Sequence, residues 1–176
     1  MNEMVPSMQQ GGKMSSSDPN SKIDFLDGKK AVEKKIKSAF CEEGKVEDNG
    51  VLAFVRAVVL PIAQLRRDWM RENPNEEFGV RFTNDNSPPG TLLTITRKPE
   101  FGGDLHYTGY EAMEKDFASK ELHPSDLKNF VKESIWTLLE PIQKRFDESE
   151  EWKSIEAAAY PSEKPPEKVT KKKVQS

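Results

Sequence analysis

The chain has 176 residues, of which 32% are charged and 35% hydrophobic, and its formal net charge at pH 7 is −3. That length suits one domain, or one domain with the edge of another, and three Trp, nine Phe and three Tyr can build its core. The acidic balance excludes a uniformly basic nucleic-acid coat but not a local basic face. The single cysteine, Cys41, excludes an intramolecular disulfide framework and a Cys-cluster zinc site, and no metal site is expected.

Residues 1–22 carry no periodic apolar pattern; Gln9-Gln10-Gly11-Gly12 and Ser15-Ser16-Ser17-Asp18-Pro19-Asn20 read as a mobile loop. Met1 to Gly12 is polar and lacks the apolar run of a secretory leader, so a reducing, cytoplasmic setting is the default. An apolar step, Ile23-Asp24-Phe25-Leu26, leads to Asp27 as the N-cap of a helix over 28–40. Its stripe is Val32, Ile36, Ala39 and Phe40, and Lys29, Lys30, Lys34, Lys35 and Lys37 crowd its other faces. Residues 41–49 form a loop. Asp48 or Asn49 then caps an apolar helix through Val51, Leu52, Val55, Val58, Val59 and Ile62, which Pro61 bends.

From 67 to 100 the pattern changes. Residues 69–75 and 84–90 read as turn or insertion material, and Phe78–Phe82 and Leu92–Thr96 as short strands. Phe101-Gly102-Gly103 is a tight connection, and Thr108-Gly109-Tyr110-Glu111 has the capping-box form ahead of a helix to about 120. The longest helix spans 124–147, with Pro124 in its first turn. Leu127, Phe130, Val131, Ile135, Leu138, Leu139, Ile142 and Phe146 form its stripe, and Glu140-Pro141 marks a bend. A short helix over 150–159 ends at Pro161, and the remaining tail, with five lysines against two glutamates, is expected to be disordered. The class is mostly α with a small β insert. No stretch approaches the roughly 20 apolar residues of a membrane span, and no membrane partner is expected.

The sharpest local signal is Gly11-Gly12-Lys13-Met14-Ser15-Ser16-Ser17. Two glycines let the backbone approach an anion, Lys13 adds a point charge, and the serines donate hydrogen bonds. A P-loop is excluded, because Ser7 and Met14 stand where that motif needs Gly and Ser/Thr. Read alone, the segment is either an anion-holding loop or a solvated linker.

Lys13-Met14-Ser15-Ser16-Ser17 resembles the KMSKS signature of class I aminoacyl-tRNA synthetases, in the KMSSS form of archaeal and eukaryotic tyrosyl-tRNA synthetases. The resemblance continues through Ala39-Phe40-Cys41, Glu47-Asp48-Asn49-Gly50-Val51-Leu52, Lys98-Pro99-Glu100-Phe101-Gly102-Gly103 and His123-Pro124-Ser125-Asp126-Leu127-Lys128-Asn129, and closes with Leu139-Glu140-Pro141-Ile142. The chain is similar to the C-terminal half of the eukaryotic cytoplasmic enzymes, the fungal type nearest. Residues 67–92 stand outside the resemblance, as an insertion.

The resemblance implies three parts. Residues 1–26 end a Rossmann catalytic domain and carry the loop, 27–160 form a helical anticodon-binding domain, and 161–176 are the basic tail. Lys13, Met14, Ser15, Ser16 and Ser17 would bind ATP, normally with Mg2+, and Lys13, Ser15 and Ser16 would assist catalysis as pyrophosphate leaves the forming tyrosyl-adenylate. Ser16 replaces the second lysine of the motif. Neither His106 nor His123 lies in a HIGH-like motif, and Met1 resembles an internal methionine of the family, so the chain reads as a fragment, inactive alone. The whole would be a tyrosine–tRNA ligase, a homodimer acting on tyrosine, ATP and tRNA(Tyr) in protein synthesis.

On the residues alone Phe101 reads as core and Asp126 as a partner of the helix dipole. The resemblance instead implies that Phe101 stacks on the first anticodon base, a guanine, and that Asp126 accepts from its Watson–Crick edge. Lys29, Lys30 and Lys34 are either a solvated face or contacts to tRNA phosphates. His123 reads as a helix-start residue and Cys41 as core rather than nucleophile. The alternatives to a ligase part are a stand-alone tRNA-binding module without ligase activity, or a protein-interaction scaffold.

Overall fold

Val32 and Ile36, four residues apart, are both buried, and their helix packs along the longest helix of the chain. The computed structural model describes Ser7, Met8 and residues 22–160. The segment expected as a loop over 9–21 and the tail 161–176 lie outside the described residues.

Helix α1 is Lys29–Ser38, and its N-cap is Gly28, which offers no side chain. Asp27, expected in that place, instead pairs with Lys35 at 2.5 Å, and its Oδ2 accepts from the Asp24 amide at 2.8 Å. Helix α2 (Gly50–Phe54) starts as expected. Asn49 Oδ1 accepts from the amides of Val51 and Leu52, both at 3.1 Å, and meets two of the donors that a helix start leaves unpaired. Gly50 is required there by a close approach, since a Cβ would lie 2.2 Å from the Ser7 carbonyl oxygen. Met8 is buried in the core of the helical unit, and its carbonyl accepts from the Phe40 amide at 2.8 Å.

The bend expected at Pro61 takes the form of a π-helical turn, Val55–Val59, placed just before it, and α3 (Leu60–Glu72) continues from there. Proline has no N–H for the carbonyl four residues back, and its ring crowds that carbonyl. One extra residue in the turn absorbs both problems, with the Leu60 amide reaching back to Val55 O. α3 runs to Glu72, so residues 69–72 are helix rather than the turn the sequence suggests. Only Leu60 and Ala63 of α3 are buried, which is why its apolar stripe fades.

The sheet has two antiparallel strands, β1 (Leu93–Ile95) and β2 (Leu105–Tyr107), with Leu93 opposite Tyr107 and Ile95 opposite Leu105. β1 lies within the expected strand, whereas β2 replaces the expected one at Phe78–Phe82. There a single ladder-like bond survives, from the Thr94 amide to Phe82 O. Arg81 instead folds its own loop shut, donating to Thr83 Oγ1, Asp85 Oδ1 and Asn84 O at 2.7–2.9 Å.

α4 is Tyr110–Ala118. Its N-cap is Gly109 with no side-chain cap bond, so Thr108 and Glu111 do not form the expected box. α5 (Pro124–Glu148) is continuous through Pro141, and α6 (Glu150–Ala159) is capped by Ser149 Oγ, which accepts from the Trp152 amide at 3.2 Å. The α5 stripe is buried at Leu127, Val131, Ile135 and Leu139 and surfaces by Ile142. α1, α2 and β1 pack on α5, and β2 packs on α4, so the described part is mostly helical with one two-stranded sheet.

Candidate functional site

Between β1 and β2 the chain makes one tight turn. Pro99 starts a short 3-10 turn, Pro99–Phe101, and Gly102 (φ 90°) and Gly103 (φ 74°) end it in the left-handed region that side chains disfavour. The turn holds Phe101 outward with 63% of its surface exposed, which excludes the core reading of that residue. A large exposed aromatic on a short, backbone-fixed turn suits stacking on a planar ligand.

Arg97 holds this turn in place. Its Nε donates to Gly103 O at 2.8 Å and its Nη1 to Glu121 O at 3.0 Å, while its amide donates to Asp104 Oδ1 at 3.1 Å. Its side chain is only 6% exposed. One buried guanidinium thus ties the Phe101 turn to the segment that enters α5. Sequence reasoning missed it, because an arginine that caps carbonyls leaves no motif. Arg97→Lys keeps the charge but loses the two-armed fork. We expect it to cost about 1–3 kcal/mol of stability in urea unfolding.

α5 opens with His123 as N-cap, its Nδ1 accepting from the Ser125 amide at 3.1 Å, the helix-start role expected of it. Asp126 occupies the third helical position, half-buried. A carboxylate there can reach back to the N-cap amide, yet no hydrogen bond or ion pair engages it among the described residues. Its negative charge suits a helix start and leaves both oxygens open to an external donor.

Beside this start, α1 and α5 enclose a groove of about 430 Å³ lined by Lys37, Lys128, Lys132, Ser125 and Asn129. Lys128 Nζ donates to Lys37 O at 3.1 Å, and Lys132 lies 3.2 Å from Glu133. Lys128 and Lys132 are a second pair of basic residues that the sequence reading did not single out. Their four-residue spacing on a helix was the available signal. Of the α1 lysines, Lys30 and Lys34 are exposed, and Lys29 sits over the Trp136 ring at 5.6 Å. Lys13, Met14, Ser15, Ser16 and Ser17 lie outside the described residues.

Cys41 is half-buried, and burial, opposed by an Asn49 contact at 3.6 Å and by the Lys128 charge, pushes its thiol up. A raised thiol is a poor nucleophile, in line with a packing role. The Tyr107 hydroxyl donates to Asp116 Oδ2 at 3.0 Å, and burial first, then the Asp116 charge, holds it above the ordinary phenol range.

The sequence pattern described as tRNA synthetases class I (W and Y) matches residues 1–140. The cytoplasmic tyrosine–tRNA ligase of Gallus gallus is 43% identical over 174 residues, which is 97% of this chain and 28% of that protein. That of Saccharomyces cerevisiae is 41% identical over 173 residues, 98% of this chain and 39% of the relative. Among solved structures, the tyrosyl-tRNA synthetase of Pyrococcus horikoshii, complexed with L-tyrosine, aligns with a TM-score of 0.64 at 28% identity. That alignment covers 88% of this chain and 39% of the other. The chain therefore spans well under half the length of these relatives.

Proposed function

The chain belongs to the class I tRNA synthetases of the W and Y type, and from that premise we propose that it is part of a tyrosine–tRNA ligase and supplies its anticodon recognition. Residues 27–160 are the anticodon-binding domain, 1–26 end the catalytic domain with the ATP-closing loop Lys13–Ser17, and 161–176 form a basic tail. The whole ligase joins tyrosine to tRNA(Tyr) at the expense of ATP with Mg2+. It works as a cytoplasmic homodimer in protein synthesis.

The observation that carries this reading is the exposed Phe101 ring on a turn that Arg97 ties to the segment entering α5, in whose first turn the Asp126 carboxylate has no partner among the described residues. An aromatic face grips an unstacked base, and a carboxylate accepts from the two adjacent N–H donors of guanine. Lys30 and Lys34, with Lys29, supply contacts to the phosphates.

The test is binding of this chain to an anticodon stem–loop of tRNA(Tyr), carrying guanine or adenine as first anticodon base, followed by fluorescence anisotropy. Guanine should be favoured about tenfold. Equal affinity for the two stem–loops would refute the assignment. These 176 residues hold no HIGH-like motif, and by themselves should give no tyrosine-dependent ATP–pyrophosphate exchange.

A further inference from the structure

Asp126 is followed on the same face of α5 by Asn129, Phe130, Glu133 and Thr137, at helical spacing. Together with Ser134 these residues form one wall of a cavity of about 230 Å³. The other wall is β1 and its exit, Thr94, Ile95 and Thr96, with Phe82 beside them. The chain leaving that wall runs straight into Arg97 and the Phe101 turn. The two walls are thus the two elements that carry Asp126 and Phe101.

Much of the polar lining is already committed. Thr94 Oγ1 lies 2.7 Å from Ser87 Oγ and 3.1 Å from His106 Nδ1, and Thr137 Oγ1 donates to Glu133 O at 2.9 Å. Arg81 is spent on its own loop, and the Glu133 carboxylate lies 3.2 Å from Lys132 Nζ. The Ser134 hydroxyl is not committed. Its residue is only 3% exposed, yet Ser134 Oγ makes no hydrogen bond among the described residues and keeps accessible surface in the cavity. The Asn129 side-chain amide and the Thr96 hydroxyl, both nearer to solvent, have no partner among the described residues either. A buried hydroxyl left open in this way marks the place of a missing partner.

Phe82, Ile95 and Phe130 give the cavity an apolar floor, and the open groups around it are neutral donors and acceptors. A planar heterocycle fits that combination, with its faces on apolar side chains and its edge on the polar ones. The volume lies below the roughly 300–1,000 Å³ of pockets that enclose drug-sized ligands, so it suits a ring system rather than a whole nucleotide. One turn of α5, about 5.4 Å, separates Asp126 from Asn129 and Phe130, a step that neighbouring splayed bases can span.

We propose that this cavity takes the nucleobase next to the one held by Phe101 and Asp126, so that Asn129 and Ser134 read the second anticodon base. The inference rests on the anticodon reading of that face. Tyrosine codons share a middle adenine, so the base is uracil. Its N3–H and carbonyl groups match the paired donor and acceptor of the Asn129 amide and the hydroxyl of Ser134.

The experiment measures binding of the 176-residue chain to anticodon stem–loops by fluorescence anisotropy. These carry guanine or adenine at the first anticodon position and either uracil or an abasic residue at the second. Uracil should bind about tenfold tighter than the abasic residue. Ser134→Ala and Asn129→Ala should each weaken the uracil complexes about three- to tenfold and leave the abasic ones unchanged, which a loss of fold would not do. Ser134→Ala should also unfold at the same urea concentration as the parent, because its hydroxyl has no internal partner to lose. If guanine is preferred at the first position while uracil and the abasic residue bind alike, or while both variants weaken the two equally, the cavity is not a base pocket and the anticodon reading stands. If guanine and adenine bind alike while the uracil effect persists and is lost in the variants, the cavity stands and the Phe101–Asp126 reading falls. No preference at either position overturns both.

Discussion

Replacing Lys13 by alanine in a full-length ligase that contains this sequence is expected to slow tyrosyl-adenylate formation by about 100- to 1,000-fold. Tyrosine affinity should change little. The reason lies in where charge develops. As tyrosine attacks ATP, negative charge accumulates on the departing pyrophosphate, and a cation already in place stabilises that state more than the ground state. In the proposed role the glycine pair Gly11-Gly12 and the serines around Met14 would offer backbone and hydroxyl donors to the same oxygens. Ser16 stands where the generic motif has its second lysine, so in the proposed role Lys13 would be the one cation of the motif. Single-turnover adenylate formation, measured beside equilibrium tyrosine binding, separates the two quantities. Equal losses in both would show that Lys13 serves folding or ground-state binding instead.

The parts of the fold legible in the sequence are those fixed by local spacing. Val32 and Ile36 on α1, and Leu127, Val131, Ile135 and Leu139 on α5, are buried as their periodicity requires. Asn49 caps α2 because a side-chain oxygen beside free amides needs no distant partner. What was not legible depends on partners far along the chain. β2 is a three-residue strand, Leu105–Tyr107, whose existence rests on pairing with β1, while Phe78–Phe82 had the better composition and lost to the Arg81 loop. Thr108 and Glu111 have capping-box spacing, yet the helix begins one residue later, after Gly109. The same division runs through the candidate site. Phe101 and Asp126 were found through the motifs around them. Arg97, Lys128 and Lys132 gain their places only when β1, the α4–α5 connection and α1 converge.

Asp126→Ala should lower charging of guanine-bearing tRNA by the full-length ligase about 5- to 150-fold, corresponding to about 1–3 kcal/mol for one lost bidentate base contact. Tyrosine activation should be unchanged, because the chemistry is carried elsewhere. The preference for guanine over adenine at the first anticodon base should shrink by a similar factor. A role confined to the helix dipole makes a different forecast: a loss of about 0.3–1 kcal/mol in stability and an unaltered base preference. Here the structure sharpens the contrast. The Asp126 carboxylate makes no hydrogen bond or ion pair among the described residues, and His123 already caps α5, so truncating the Asp126 side chain leaves no internal donor stranded. Any large effect must then come from an external partner. Phe101→Ala is the companion variant. Its ring is 63% exposed and packs little against the core, so stability should hold. Stacking accepts every base, and its loss, about 1–3 kcal/mol per base, should fall on guanine and adenine alike. Aminoacylation efficiencies for both tRNAs with both variants complete the comparison. Selectivity lost with Asp126 and affinity lost evenly with Phe101 would divide the reading of the base between an edge contact and a face contact. Guanine selectivity surviving in Asp126→Ala would show that the edge of the base is read by another group.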